Sequence, residues 1–163
     1  MSELGELIRR ERWRREEQKE REMAKSEVKE LVTQVCNKLG ITEPRLRYRM
    51  DGNAAYSQSL KSLSLPGYSF EEIGARFRSA AKEETLQHFD KLLGLRFLRL
   101  TDRKLGIAIT IHELGHHYDT VTGTIDKLVE QNVQVMHSID SYKELPTERS
   151  ADEFMVKMMK EGI

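Results

Sequence analysis

The amino-acid sequence predicts an α+β fold in which a small antiparallel sheet of two or three strands packs with helices. The 163 residues fit one domain that is large enough to bury a hydrophobic core. Most of the chain repeats apolar residues at steps of three and four, which is the period of amphipathic helices. Clear strand-like patterns occur in residues 45–66. Many helices around one short strand region predict the α+β class.

Residues 1–25 are predicted to form a charged extension that is helical or partly disordered. From Arg9 to Glu22 every residue except Trp13 and Gln18 is charged, so this stretch has no apolar face to bury. It is either a solvated extension or an arm that folds on contact with a partner. The globular domain, residues 26–163, begins with an amphipathic helix that stops at Gly40; its apolar positions are Val28, Leu31, Val32, Val35, Cys36 and Leu39.

The predicted sheet rests on two neighbouring segments. In RLRYRM, residues 45–50, apolar side chains alternate with arginines, and the following DGN is typical of a hairpin turn. The segment AAYSQSLKSLSLP, residues 54–66, continues with strand-like character and can supply one or two further short strands.

A long helix is predicted after the sheet. Ser69 and Glu72 form a capping box that opens it, an apolar stripe extends from Ile73 to Leu93, and Gly94 ends it. The next segment, LRFLRL at residues 95–100, is too short an apolar run to be assigned to a strand or a helix from its period.

The last third of the chain predicts three helices. Thr101 or Asp102 caps the first, which runs through LGIAITIHELGHHYD and is apolar nearly all round before its histidines, so it should pass through the core. A weaker helical pattern follows Gly123. Pro146 opens the final helix, whose buried stripe is predicted to comprise Ala151, Phe154, Met155, Met158 and Met159.

The HELGH segment within the first of these helices has the residue types of a catalytic zinc site. His112 and His116 lie four residues apart and differ by about 40° around a helix axis, so their imidazoles can bind one ion. Glu113 lies beside the pair, where a carboxylate can take a proton from zinc-activated water without being a ligand. Bound Zn²⁺ lowers the pKa of such water to about 7, which makes this chemistry available at neutral pH.

A third protein ligand is needed, and PTERSADEF offers the best candidate. Glu148 can be the ligand, as in gluzincins, where a later helix supplies a glutamate. Asp152, one turn on, can hydrogen-bond a ligand histidine. Asp119 is a rival ligand because it shares the face of His112, although it would have to reach back a turn; a supporting or substrate-facing role suits it better.

Other polar residues receive weaker assignments. His117 points away from the predicted metal face and is expected to be exposed or to support the site. His88 and His137 have no spacing partners and are interpreted as ordinary polar residues. A hydrogen-bond donor should stabilise the oxyanion of the tetrahedral intermediate, but the sequence does not choose among its candidates, which are Tyr56, Tyr68, Tyr118 and Tyr142.

The order HELGH and then, about thirty residues later, ERSADEF resembles the ImmA/IrrE family of zinc metallopeptidases. In outline the resemblance covers Val28 to Met159. It implies a zincin-like fold, a cytoplasmic location and, often, cleavage of a helix-turn-helix repressor in mobile elements or stress responses. By position it makes His112, His116 and Glu148 the zinc ligands, with Glu113 as the base and Asp152 as the hydrogen-bond partner of a ligand. The motifs are also similar to those of lethal-factor-like peptidases.

The function predicted from these residues is zinc-dependent hydrolysis of a peptide bond, with a protein or peptide as substrate. The alternatives are a metal-dependent binding module that recognises a protein partner without turnover, and an assembly component with a vestigial site. Balanced charge, with 27 basic and 27 acidic residues, gives no footprint for nucleic acid. The N-terminus has no signal-peptide core and the longest apolar run, Leu105 to Ile111, is too short for a bilayer, so a cytoplasmic protein without membrane contact is expected.

Overall fold

A computed structural model describes residues 2–95 and 99–162 and shows an α+β fold of six α-helices and one three-stranded sheet within these ranges. The elements, in chain order, are α1 (Glu3–Leu39), β1 (Arg45–Tyr48), β2 (Ala55–Ser57), β3 (Ser62–Leu65), α2 (Phe70–Ala80), α3 (Glu83–Leu92), α4 (Asp102–Val121), α5 (Ile125–Val135), a 3₁₀ turn (Tyr142–Glu144) and α6 (Pro146–Lys160). The predicted α+β class is confirmed. The segment of undecided type, LRFLRL, includes residues 96–98, which lie outside the described ranges.

Helix α1 is continuous over 37 residues and joins the charged N-terminal segment to the folded part of the chain. Ser2 caps its start, and Gly40 ends it with φ of 65°, a left-handed conformation that glycine adopts without strain. The boundary predicted at residue 25 therefore falls inside one helix. The first buried apolar side chain is Val28, and Cys36, one turn before the end, is fully buried.

The sheet is mixed, so the predicted antiparallel sheet is wrong in part. Its order is β1-β3-β2, with β3 parallel to β1 and antiparallel to β2. The predicted hairpin at DGN is absent from the described sheet, because β1 and β2 lie at opposite edges. Leu63 and Leu65 on one face of β3 and Ser62 on the other are buried, whereas β1 alternates between exposed and half-buried residues. Strands buried on both faces take central positions, which places β3 between the other two.

The predicted helix from Ser69 to Gly94 is divided into α2 and α3. Ala81 and Lys82 are extended, with ψ near 150°, and separate the two helices. The break lets the two helices face each other, and the rings of Phe77 and Phe89 meet edge-on with centroids 5.8 Å apart. The capping box prediction holds in part, since the Ser69 hydroxyl accepts from the backbone N–H of Glu72.

Helix α4 passes through the middle of the core, as predicted, and two helices pack closely against it. Ideal Cβ atoms built on Gly74 of α2 and Gly106 of α4 would lie within 2 Å of backbone oxygens, so only glycine permits this contact. Helix α6 approaches another part of α4 at Gly115, next to Ala151. Ala151, Met155 and Met158 of α6 are buried, which confirms the apolar stripe. In the described ranges, no helix combines the length and hydrophobicity needed to cross a membrane.

Candidate metal centre

Three of the residues predicted as metal ligands meet where α4 packs against α6. His112 Nε2 lies 3.2 Å from Glu148 Oε2, and His116 Nε2 lies 3.2 Å from Glu148 Oε1. One donor atom from each residue falls within 4.8 Å of the others. Two imidazole nitrogens and one carboxylate form a donor set that suits zinc and other divalent transition metals. These side chains could therefore hold a metal ion.

The backbone explains why this cluster forms. The two histidines follow one another by a turn of α4, and their rings stand nearly perpendicular with centroids 5.0 Å apart. Glu148 lies in the first turn of α6, which Pro146 opens at a position where its missing N–H costs nothing. Gly115 lets α6 come close enough for Glu148 to reach both rings.

The charges within the cluster favour binding of a cation. Burial opposes the protonation of His112, but the neighbouring Asp152 and Glu148 carboxylates outweigh burial and raise its pKa to about 10 when no ion is bound. Burial raises the pKa of the Glu148 carboxyl, yet His112, His116 and Tyr142 hold it far below its usual range. A metal ion would thus replace a proton on His112 and meet a carboxylate that is already ionised.

Glu113 is buried beside the three residues that could hold a metal ion. Burial raises its pKa above the usual range, against the opposing effect of the two histidines. The backbone of Tyr56, in β2, also opposes this rise. A general base works best when its pKa lies near the working pH, so a raised carboxyl pKa suits this role.

Asp152 contacts the predicted ligand His112 at Nδ1, the ring nitrogen that does not face Glu148. Its Oδ1 lies 3.0 Å from His112 Nδ1, but this nitrogen makes no hydrogen bond with any described residue. Its Oδ2 accepts a hydrogen bond from His88 Nε2 at 2.7 Å. No sequence pattern points to this role of His88, because 64 residues separate it from Asp152 and no helical spacing connects them.

Asp119 does not join the ligand cluster formed by the described residues. It is buried near the side chain of Ser150 in α6, and its Oδ2 has no hydrogen-bond partner in the described part of the chain. Burial raises its pKa, and the nearby charge of His116 opposes this rise. The structure thus places Asp119 beside the site rather than among the metal ligands.

His117 is fully buried, which rules out exposure, the first of its two predicted settings. Its Nε2 lies 2.7 Å from the carbonyl oxygen of Thr42, which can only accept, so this nitrogen carries the proton. Nδ1 therefore accepts from the Tyr56 hydroxyl at 2.9 Å, and burial lowers the His117 pKa, which favours this neutral form. His117 therefore links β2 and the loop after α1 to α4. Its Nδ1 accepts the one hydroxyl proton that Tyr56 can donate.

The four tyrosines considered as oxyanion donors lie in different surroundings. Tyr142 donates to Glu148 Oε1 at 2.5 Å and is 67% exposed, so it lies between the cluster and solvent. Tyr56 lines the adjacent cavity, but its hydroxyl is directed to His117. Tyr68 packs on Tyr48, and Tyr118 packs on Phe154. Tyr142 is thus the tyrosine whose hydroxyl contacts a ligand.

Two cavities meet at the cluster. One, of about 300 Å³, extends along β2 and the start of α5; the other, of about 220 Å³, extends toward α2 and α3 and is lined by Phe77 and Phe89. Both are bounded by Glu113, Tyr142 and Glu148. A larger groove of about 1220 Å³ lies between α3 and α6 and adjoins the site through His88 and Asp152.

Comparison of the chain with models of protein families, with curated proteins and with solved structures gives no match. What this chain does must therefore be inferred from the chemistry of its own site.

Proposed function

We propose that this protein is a metal-dependent hydrolase. The observation that carries the proposal is that a buried base, Glu113, borders both cavities at the point where His112, His116 and Glu148 converge. A structural zinc site favours four closed protein ligands, whereas a catalytic one has three and leaves a position for water. Three donors that open onto cavities support the catalytic arrangement.

More specifically, we propose a zincin-like zinc endopeptidase, with Zn²⁺ as the resident ion. When bound by His112, His116 and Glu148, zinc would activate the attacking water and polarise the peptide carbonyl. Glu113 takes a proton from the attacking water and passes it to the departing amine nitrogen, so the peptide bond is replaced by a carboxylate and an amine. The Tyr142 hydroxyl donates to Glu148; a metal bound by that carboxylate would free this hydroxyl, at the open side of the cluster, to donate to the developing oxyanion instead.

The neighbouring sheet supports a polypeptide as the substrate. β2 is an edge strand, and residues Ala54, Ala55, Tyr56 and Gln58 line the cavity that also contains Glu113. An extended peptide can add to such an edge through main-chain hydrogen bonds, which would align its carbonyl groups with the metal cluster. The resemblance to ImmA/IrrE peptidases adds a narrower proposal, in which a cytoplasmic helix-turn-helix repressor is the substrate.

The test compares the zinc-loaded wild type with Glu113→Gln on a library of peptides derived from a bacterial proteome. New peptide ends are identified by mass spectrometry. The wild type should produce ends that a chelator abolishes, and Glu113→Gln should keep its zinc but lose about 10²- to 10⁴-fold in rate, the usual contribution of a general base. Asp119→Asn is the matched control, since it also alters a buried carboxylate of α4.

Metal content alone cannot separate a peptidase from a module that binds a partner without turnover. If zinc-loaded wild type produces no cleavage of the library or of candidate repressors, and Glu113→Gln retains the biological effect of the wild type, catalysis is refuted. The binding module is then the better explanation.

A further inference from the structure

Three side chains from three helices contact one another in a row that leads outward from the metal cluster. His112 of α4 contacts one oxygen of Asp152 in α6, and the other oxygen accepts from His88 of α3 at 2.7 Å. The carboxylate of Asp152 is almost completely buried, whereas the His88 side chain is 27% exposed. His88 is thus the outermost of these three side chains and lies at the wall between the metal cluster and the groove that separates α3 from α6.

Asp152 needs a second fixed contact if it is to orient His112. The contact between His112 Nδ1 and Asp152 Oδ1 is short but is not a hydrogen bond, so it does not fix the plane of the carboxylate by itself. Among the ion pairs of the described residues, Asp152 takes part in those with His112 and His88. The hydrogen bond from His88 therefore supplies the second point that holds the carboxylate plane.

His88 is itself held in place by the packing of its neighbour. Phe89 is buried, meets the ring of Phe77 edge-on, and also meets the ring of the ligand His112 with centroids 6.0 Å apart. These contacts fix α3 relative to α4 at the level of the metal cluster. The position of His88 Nε2 is consequently set by the fold and not only by its bond to Asp152.

We propose that His88 is a positioning residue of the metal centre: through Asp152 it sets the orientation of His112 and so the affinity and geometry with which the site binds a divalent metal. This inference rests on the metal site of the proposed function but not on peptide hydrolysis. Groups behind a ligand histidine change metal affinity by about 10- to 100-fold when they are removed. For His88, which acts through Asp152, we expect the lower end, about tenfold.

The experiment measures metal binding directly. Zn²⁺ affinity is obtained by competition with a chromogenic chelator, and Co²⁺ is used as a spectroscopic probe of ligand geometry. His88→Ala should bind Zn²⁺ about tenfold more weakly than the wild type and should shift the visible Co²⁺ bands. His88→Leu, which keeps the bulk of the side chain and a good helix propensity, should behave in the same way because it cannot donate.

His88→Gln is the conservative variant and should recover most of the affinity and the wild-type spectrum. Its amide N–H can occupy the place of the imidazole Nε2–H and donate to Asp152. His137→Ala, at an exposed histidine beyond α5, is the matched control and should bind both metals like the wild type.

A purely structural role for His88 predicts a different pattern. His88→Ala and His88→Leu would then lower the melting temperature equally in the metal-free and metal-loaded forms and leave Zn²⁺ affinity and the Co²⁺ spectrum unchanged, which would overturn the proposal. A wild type that binds neither metal would overturn the metal site and this inference together. A wild type that binds zinc, shows the His88 effect and hydrolyses no peptide would refute only the peptidase function.

Discussion

Replacing Gly115 with alanine should disturb the metal centre, although glycine has no side chain that could contact a ligand. The residue is the glycine of HELGH, and it faces α6 at the level of Ala151, between the turns that carry Glu148 and Asp152. An added methyl group would act as a wedge between the two helices that supply all three ligands.

The size of the effect follows from the contacts that the new Cβ would make. It would lie 2.9 Å from Ala151 Cα and 3.2 Å from the Ala151 carbonyl oxygen, while ordinary contacts begin at 3.4 Å. The helices must therefore move apart by about 0.5 Å, more than the roughly 0.2 Å by which metal–ligand distances vary. Overpacking costs about 1–3 kcal/mol and the gain in helix propensity returns about 1 kcal/mol, so a net destabilisation on the order of 1 kcal/mol is expected.

Two assays check this prediction. Urea unfolding of the metal-free protein should show the loss of stability, and chelator competition should show Zn²⁺ affinity reduced by at least about tenfold, as for other changes in the surroundings of ligands. Gly106→Ala in the same helix should be far more destabilising, because its Cβ would lie 1.9 Å from the Phe70 carbonyl oxygen. Wild-type Zn²⁺ affinity in Gly115→Ala, or equal loss of stability in the two variants, would refute the reasoning.

Four further results are expected. Glu148→Gln should abolish tight Zn²⁺ binding while Asp119→Asn retains it, and metal analysis of the purified variants decides between the two carboxylates. Zn²⁺ affinity should rise with pH, by up to about tenfold per unit from about pH 6 to 8, because the raised pKa of His112 means that the ion must displace its proton; a flat profile in a titration would contradict this. Tyr142→Phe should keep zinc and lower kcat by about 10²- to 10³-fold on any cleaved peptide, and an unchanged kcat would exclude Tyr142 as the oxyanion donor. Cys36, fully buried and with its pKa raised by burial to about 11, should react with a disulfide reagent only after unfolding in urea, so fast labelling of the native protein would contradict its burial.

The three residues that could hold a metal ion could be predicted from sequence because their spacing depends on local geometry. His112 and His116 are one turn apart on a helix whatever the rest of the fold does, and Glu148 and Asp152 repeat the same spacing on α6. The class of fold followed in the same way from the predominance of helical periods. The order of the strands could not be predicted in this way. It depends on which strand is buried on both faces, and the position of β3 at the centre is seen only in the structure.

The supporting residues could not be predicted because they reach the site from distant elements. His88 acts on Asp152 only after the break at Ala81 and Lys82 has turned α3 toward α6. His117 seemed to point outward from the metal face, and it does, but β2 and the loop at Thr42 cover that side of α4. A helical wheel tells which side chains share a face and leaves open what packs against each face.

The two glycines of α4 are a signal in the sequence for close packing around that helix. Glycine inside a helix costs about 1 kcal/mol relative to alanine, so its presence twice indicates close approach by other elements. Gly106 and Gly115 are nine residues apart and therefore about 180° from each other around the axis. In the structure, α2 packs against Gly106 and α6 packs against Gly115. Helix α4 is thus held between two neighbours at backbone contact distance, which fixes His112 and His116 relative to Glu148 more firmly than side-chain packing alone would.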